Sequence, residues 1–347
     1  MFARHGKKSI QTILFYRFLS VTAALLIIVS AIVYLIQYTK MYKNMENDII
    51  RTSSSIGDAI DLQISQMDNI CLNVINSTSV KDTFAEWSQN KNVSAYERRQ
   101  QQNQLNNSLV SIRGIDTSIR QVNLYSMESG GYGVGNYYGR LSKSTADLPW
   151  YKGAVEKDGY RFFQADNHPL LSQHSGTDRF YFSLYRMYFD NYHNPAGFVE
   201  VSKYYDELFE EALSPTTSSS IDITVYDEDG RQIYPDTASG GEKRFDYFTK
   251  LNSRDLSSHS ARIYNDLKQQ KEFVTVCPLD YSGFTVTASI NNTGFYTPIL
   301  ASLMWIPLLA LSLFVVCYFV AGFLSRRLAQ PLTEMHQFLS QSDSAGK

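Results

Sequence analysis

Hydrophobic and polar positions along the chain fall into three textures. Residues 18–36 and 297–324 are runs without a charge, near or beyond the roughly 20 apolar residues that a helix needs to cross a bilayer. Between them, Met41, Met45, Ile49, Ile56, Ile60, Ile64, Met67, Cys71 and Val74 recur at steps of three, four or seven, with polar residues between and no proline. That spacing predicts a long amphipathic helix. A polar break at 76–79 precedes a second helical stretch with Val80, Phe84 and Trp87, then Leu105, Leu109 and Ile112.

From residue 119 the texture becomes strand-like, at 119–125, 160–164, 179–188, 196–202, 221–225, 232–234, 272–277 and 284–289. Short helices are predicted at 148–155 and 204–213. Strands interleaved with short helices imply α+β architecture, with antiparallel sheets and helices on their faces. The glycine-rich segment 130–135 reads as a mobile loop or tight hairpin, because Tyr138 stands where a dinucleotide fingerprint needs glycine. The Asp227-Glu228-Asp229-Gly230 segment reads as a structural turn, lacking the spacing of a calcium loop. Residues 214–220 form a boundary rich in turn formers.

Charge gives this pattern an orientation. Arg4, Lys7, Lys8 and Arg17 precede the first run, and Arg326 and Arg327 follow the second, so the positive-inside rule places both ends in the cytoplasm and the middle outside. The first run is longer than the core of a cleaved signal and reads as an uncleaved anchor. With a formal net charge of −2 and these basic residues at the ends, the middle is acidic, which argues against nucleic acid as a partner. Cys71 and Cys277 are expected to be buried free thiols.

Candidate chemistry points to binding. There is no H-E-x-x-H and no G-x-S-x-G, and no cofactor or metal is expected, although His168 and His174 share a polar segment with Asp166 and Asp178. Ten tyrosines fall between Tyr125 and Tyr192; rings with polar tips suit the walls of a ligand pocket and stack on sugars. Trp150, Tyr151, Tyr181, Ser183 and Tyr185 are the candidate pocket residues, with Arg140 and Asp166 as polar candidates.

The order of parts, with Leu148-Pro149-Trp150-Tyr151 and Ala154, the segment Ala196-Gly197-Phe198-Val199-Glu200-Val201, the acidic turn at 227–230 and Arg326-Arg327-Leu328-Ala329-Gln330-Pro331-Leu332, resembles the double-Cache sensory modules of bacterial transmembrane receptors. Within that class it is most similar to YesM-type sensor histidine kinases. The resemblance implies two tandem PAS-like sheets on a long N-terminal helix, flanked by transmembrane helices and ending at the start of a HAMP domain. The implied division is a cytoplasmic N-terminus at 1–17, a span at 18–37, helical stalk at 38–118, a membrane-distal sheet at 119–213, a membrane-proximal sheet at 214–296, a second span at 297–324 and HAMP start at 325–347.

The amino-acid-binding subset of such modules carries arginine two residues before the Trp-Tyr pair, and tyrosine about five before that. Leu148 and Lys143 stand there, so an amino-acid ligand is not expected and a saccharide is a candidate. None of the six histidines is followed by Asp or Glu, so no phosphoacceptor is recognised and the kinase region is expected in a longer receptor. The implied function is extracellular ligand sensing by a membrane-bound homodimer that passes a shift through the second span to a cognate response regulator. The front half of a chemoreceptor or a membrane-bound transcription regulator, and an anchored extracellular enzyme or wall-binding protein, are the alternatives.

Overall fold

The computed structural model describes residues 10–89, 93–128, 130–141, 144–167, 179–214, 221–236, 244–251 and 259–344. Helix α1 (Ile10–Asn76) is followed by α2 (Thr78–Gln89) and α3 (Ala95–Arg113), with the expected break after Asn76. The chain forms two compact units, residues 48–292 and residues 1–47 with 293–347.

The larger unit holds two sheets, and every strand pairing in them is antiparallel. The first contains β1 (Gln121–Ser126), β2 (Gly131–Gly135), β3 (Gly139–Leu141), β4 (Phe162–Asp166), β5 (Tyr181–Phe189) and β6 (Pro195–Tyr204), in the order β3-β2-β1-β6-β5-β4. The second contains β7 (Asp222–Tyr226), β8 (Gln232–Tyr234), β9 (Ser260–Asn265), β10 (Gln270–Pro278) and β11 (Thr285–Asn291), in the order β8-β7-β11-β10-β9. With the short β3 set aside, both sheets run second, first, fifth, fourth, third. The sequence implied two sheets of one kind, and their shared topology agrees. Short helices α4 (Tyr151–Glu156) and α5 (Tyr205–Leu213) belong to the first sheet's segment.

Helix α1 forms the spine of this unit. Ile49, Ile56, Ile60, Ile64, Met67, Cys71 and Val74 are buried, as a stripe at helical spacing requires. The Cys71 thiol donates to Leu184 O on the first sheet, and Asp61 accepts from the backbone N–H groups of Tyr281 and Ser282 beside the second. Both sheets therefore use the same helix as a floor.

Several elements differ from expectation. The glycine-rich segment is the strand β2, paired along its length with β1. A Cβ at Gly133 would run into Asn123 Oδ1 and Gln121 Nε2, so glycine there makes room for neighbouring amides, and repeated glycine marks close approach within a strand. Strands β3 and β9 lacked a clear apolar alternation and were not anticipated. The turn at 227–230 is structural: Asp227 Oδ1 accepts from Asp229 N and Arg231 N. Residues 168–178 and 215–220, which include His168, His174, Asp178 and most of the anticipated boundary, lie outside the described residues. Among the described residues the cysteines are free, with Cys71 buried and Cys277 half-buried.

In the smaller unit, α6 (Asn292–Leu303) and α7 (Trp305–Ser344) replace the single uninterrupted run expected at 297–324. The break at Met304 has a cause in Pro307, which offers no N–H to the Leu303 carbonyl and whose ring crowds it. Helix α7 runs on past Arg327 to Ser344. Among the described residues, two helical regions are long and apolar enough to cross a membrane. Leu25, Ile27, Trp305 and Phe319 on them are exposed. Within this unit Phe15 meets Tyr318 edge-on at 5.4 Å and Tyr42 meets Phe295 at 5.3 Å.

Candidate functional site

Strand alternation gives the first sheet two chemically different faces. Phe182, Leu184 and Arg186 of β5, with Val199, Val201 and Lys203 of β6, share the face turned to α1. Tyr181, Ser183, Tyr185 and Met187, with Phe198, Glu200, Ser202 and Tyr204, share the other. The register carries that second face on through Gln121, Asn123 and Tyr125 of β1 and Phe162, Gln164 and Asp166 of β4.

Glu200 stands at its centre, wholly buried. Its Oε2 accepts from Asn123 Nδ2 at 2.8 Å and Tyr125 OH at 2.7 Å, and its Oε1 accepts from Tyr185 OH at 2.9 Å and Ser202 Oγ at 3.0 Å. An ionised carboxylate is acceptor-only and matches four converging donors. The network widens through the Ser183–Ser202 hydroxyl pair at 2.8 Å and Gln121 Nε2 donating to Asn123 Oδ1 at 2.8 Å. Burial, and then the charge of Glu200, push the Tyr125 and Tyr185 phenols well above their ordinary values. Both therefore stay protonated and keep donating at neutral pH.

Trp150 roofs the cluster from the residue before α4. Its ring stacks on Tyr185 at 4.3 Å with a 21° interplanar angle and lies 5.0 Å from Tyr125 and 5.2 Å from Phe198. Tyr151 meets Phe198 edge-on at 5.5 Å. Gly153 lets α4 approach this closely, since a Cβ there would collide with the Phe162 ring. The result is a polar floor under an aromatic roof, the composition of a small-ligand site.

The sequence candidates distribute unevenly over this site. Trp150, Tyr151 and Tyr185 pack in one cluster, and Ser183 joins Glu200 through Ser202. Asp166 shares the face, accepts from Gln164 Nε2 at 2.7 Å, and its charge contributes to raising both buried phenols. Tyr181 lies on the same face in a separate cluster with Tyr204, where both hydroxyls accept from Asn136 Nδ2. Arg140 stands apart from this cluster: it pairs with Tyr132 of β2, on the face turned to the helices, and its guanidinium sits over the Trp87 ring at 5.5 Å. One residue of register separates it from Leu141, which does face the site.

Sequence reasoning missed Glu200, Asn123, Gln121, Tyr125 and Ser202. One signal was available. Glu200 is a charge in the middle of an apolar strand, in phase with Phe198 and out of phase with Val199 and Val201, and a charge in a buried strand needs partners.

No family model matches the chain, and no curated protein matches it. Solved structures do. The extracellular domain of soHK1S-Z6, described as a histidine kinase, is similar with a TM-score of 0.51 at 12% identity, over 75% of this chain and 99% of that one. A domain of a sensory box/GGDEF family protein from Vibrio parahaemolyticus is similar with a TM-score of 0.50 at 11% identity, over 74% and 99%. The ligand-binding domain of the Pseudomonas fluorescens chemoreceptor CtaA, in complex with L-isoleucine, follows with a TM-score of 0.48 at 12% identity, over 75% and 98%. The chain has the fold of the first two, with paired antiparallel sheets on a long helix.

Proposed function

We propose that the chain is the ligand-sensing and transmembrane-signalling portion of a bacterial receptor, and that its ligand binds on the Glu200 face of the first sheet. The observation that carries this reading is the buried carboxylate with four donors under a stacked tryptophan. A buried charged network is costly to maintain, and this one lies directly beneath the aromatic rings of Trp150 and Tyr185. Sharing a fold with a histidine-kinase extracellular domain and a sensory-box domain supports the sensing role.

The ligand we propose is small and hydroxyl-rich, with saccharides as the leading class. Asp166 and Gln164 offer acceptors to hydroxyls, Glu200 fixes the phenols and amide that shape the face, and Trp150 and Tyr185 offer rings on which a sugar stacks. Binding requires Trp150 to move aside, which gives the ligand its differential affinity for an open state and so the power to shift a population. The two apolar helical regions are proposed as transmembrane spans with both termini cytoplasmic, and α7 as the HAMP-type exit towards a YesM-type kinase. A homodimer and a cognate response regulator complete this reading.

The test is a chimera joining residues 1–347 in frame to the kinase region of a receptor with a reporter. It is challenged with monosaccharides, oligosaccharides, amino acids and peptides. A reporter response to one class supports the reading, and a membrane-inserted chimera silent to every class counts against it.

A further inference from the structure

We infer that Asp68 is the joint that couples the Glu200 face of the first sheet to the last strand of the second. This inference deepens the sensing role proposed above, but its test needs no ligand, so the two can fail separately.

Asp68 sits on α1 with 1% exposure. Arg186 of β5 grips it bidentately, Nε to Oδ1 at 2.5 Å and Nη2 to Oδ2 at 2.9 Å. From the second sheet's side, Tyr281 in the turn between β10 and β11 donates its hydroxyl to the same Oδ2 at 2.8 Å. Arg161, just before β4, reaches Oδ2 at 3.7 Å and lies over the Tyr281 ring at 4.5 Å. One buried carboxylate thus ties the helix, the first sheet and the β10–β11 turn together, and bidentate Arg–carboxylate pairs fix geometry as well as adding energy.

Two further contacts make the joint stiff. Asp61, two turns earlier on α1, accepts from Tyr281 N and Ser282 N, both at 3.0 Å, fastening the same turn. Phe284, buried beside the start of β11, packs on Phe163 of β4 at 4.9 Å and Phe182 of β5 at 6.4 Å. Each of these first-sheet residues has a strand neighbour or near neighbour on the ligand face: Phe163 beside Phe162, Arg186 beside Tyr185. Strand alternation makes the coupling obligatory, because a tilt of β5 that moves Tyr185 must move Arg186. Beyond the joint, β11 ends at Asn291 and α6 begins at Asn292, so no linker intervenes to absorb a displacement.

The experiment is hydrogen–deuterium exchange on the full chain in lipid nanodiscs, with Glu200→Gln as the perturbation of the first sheet. The readout is the β10–β11 turn, including the Tyr281 and Ser282 amides. Glu200→Gln should speed exchange there about fivefold, the effect of weakening one hydrogen bond. Adding Asp68→Asn should abolish that transmitted change. Adding Tyr281→Phe, which leaves the Arg186–Asp68 pair in place and so spares the fold, should at least halve it. Undiminished transmission with Tyr281→Phe, or no change in the turn with Glu200→Gln alone, overturns the inference.

Discussion

Tyr185 and Arg186 are adjacent on β5 and serve opposite sides of the sheet: the Tyr185 hydroxyl meets Glu200 at 2.9 Å, while the Arg186 guanidinium meets Asp68 at 2.5 Å. The polar centre of the candidate site and the buried ion cluster on the spine helix are therefore one peptide bond apart.

Glu200→Leu should be the most damaging change at the site. It leaves Asn123, Tyr125, Tyr185 and Ser202 without their common acceptor, and each buried unsatisfied donor costs about 1–3 kcal/mol before relaxation. Glu200→Gln retains shape and two acceptor lone pairs and should lose about 1–3 kcal/mol in all. Urea unfolding of the purified chain ranks the two, and equal stability of Glu200→Leu and the unaltered chain would remove Glu200 from the centre.

Trp150→Ala is a poor probe of binding, because a tryptophan exposed by only 3% and stacked on Tyr185 is also part of the core, and its truncation should cost about 3–5 kcal/mol. Trp150→Phe retains an aromatic roof and should keep the fold while weakening any ligand-induced rise in Tm. Circular dichroism melts of the two variants check this ordering.

Gly133→Ala should destabilise by about 1–3 kcal/mol, as overpacking does, although alanine is small and the position lies in a strand. The added methyl group displaces the Asn123 and Gln121 amides and so disturbs Glu200 from two strands away. Arg140→Ala, by contrast, removes a cation over the Trp87 ring worth about 1 kcal/mol and should leave binding unchanged. A loss of ligand response in Arg140→Ala would return that residue to the site.

Stability should fall in alkali. Burial pushes the Tyr226 phenol up to about 12 and raises Tyr188 and Tyr247 as well. A group raised in the folded state contributes stability that is complete below its unfolded value, about pH 10 for tyrosine, and is lost as pH climbs through the folded value. The urea midpoint should therefore drop between about pH 10 and pH 12, with a shallower drop in Tyr226→Phe. An unchanged midpoint over that window would contradict the burial of these hydroxyls.

The architecture was legible because it rests on periodicity: the buried stripe from Ile49 to Val74 needs only helical spacing, and β5, β6, β10 and β11 are rich in aromatic and β-branched residues. The site was legible only in its aromatic part. Trp150 and Tyr185 stand out by type, whereas the register that brings Asn123 to Glu200, residues 77 apart in the chain, is a long-range pairing with no local signature. Arg140 shows the same limit from the other side. A one-residue difference in register chooses its face, and sequence alone did not reveal the β2–β3 pairing that decides it.

Everything proposed for the first sheet turns on ligand binding at the Glu200 face under Trp150. Its most direct measurement is a thermal-shift comparison of the full chain and its Glu200→Gln variant in detergent, against one panel of sugars, oligosaccharides, amino acids and peptides. A hydroxyl-rich member should raise the Tm of the unaltered chain and fail to raise that of a folded Glu200→Gln. An equal rise in both would contradict binding at that face and place the ligand on another surface.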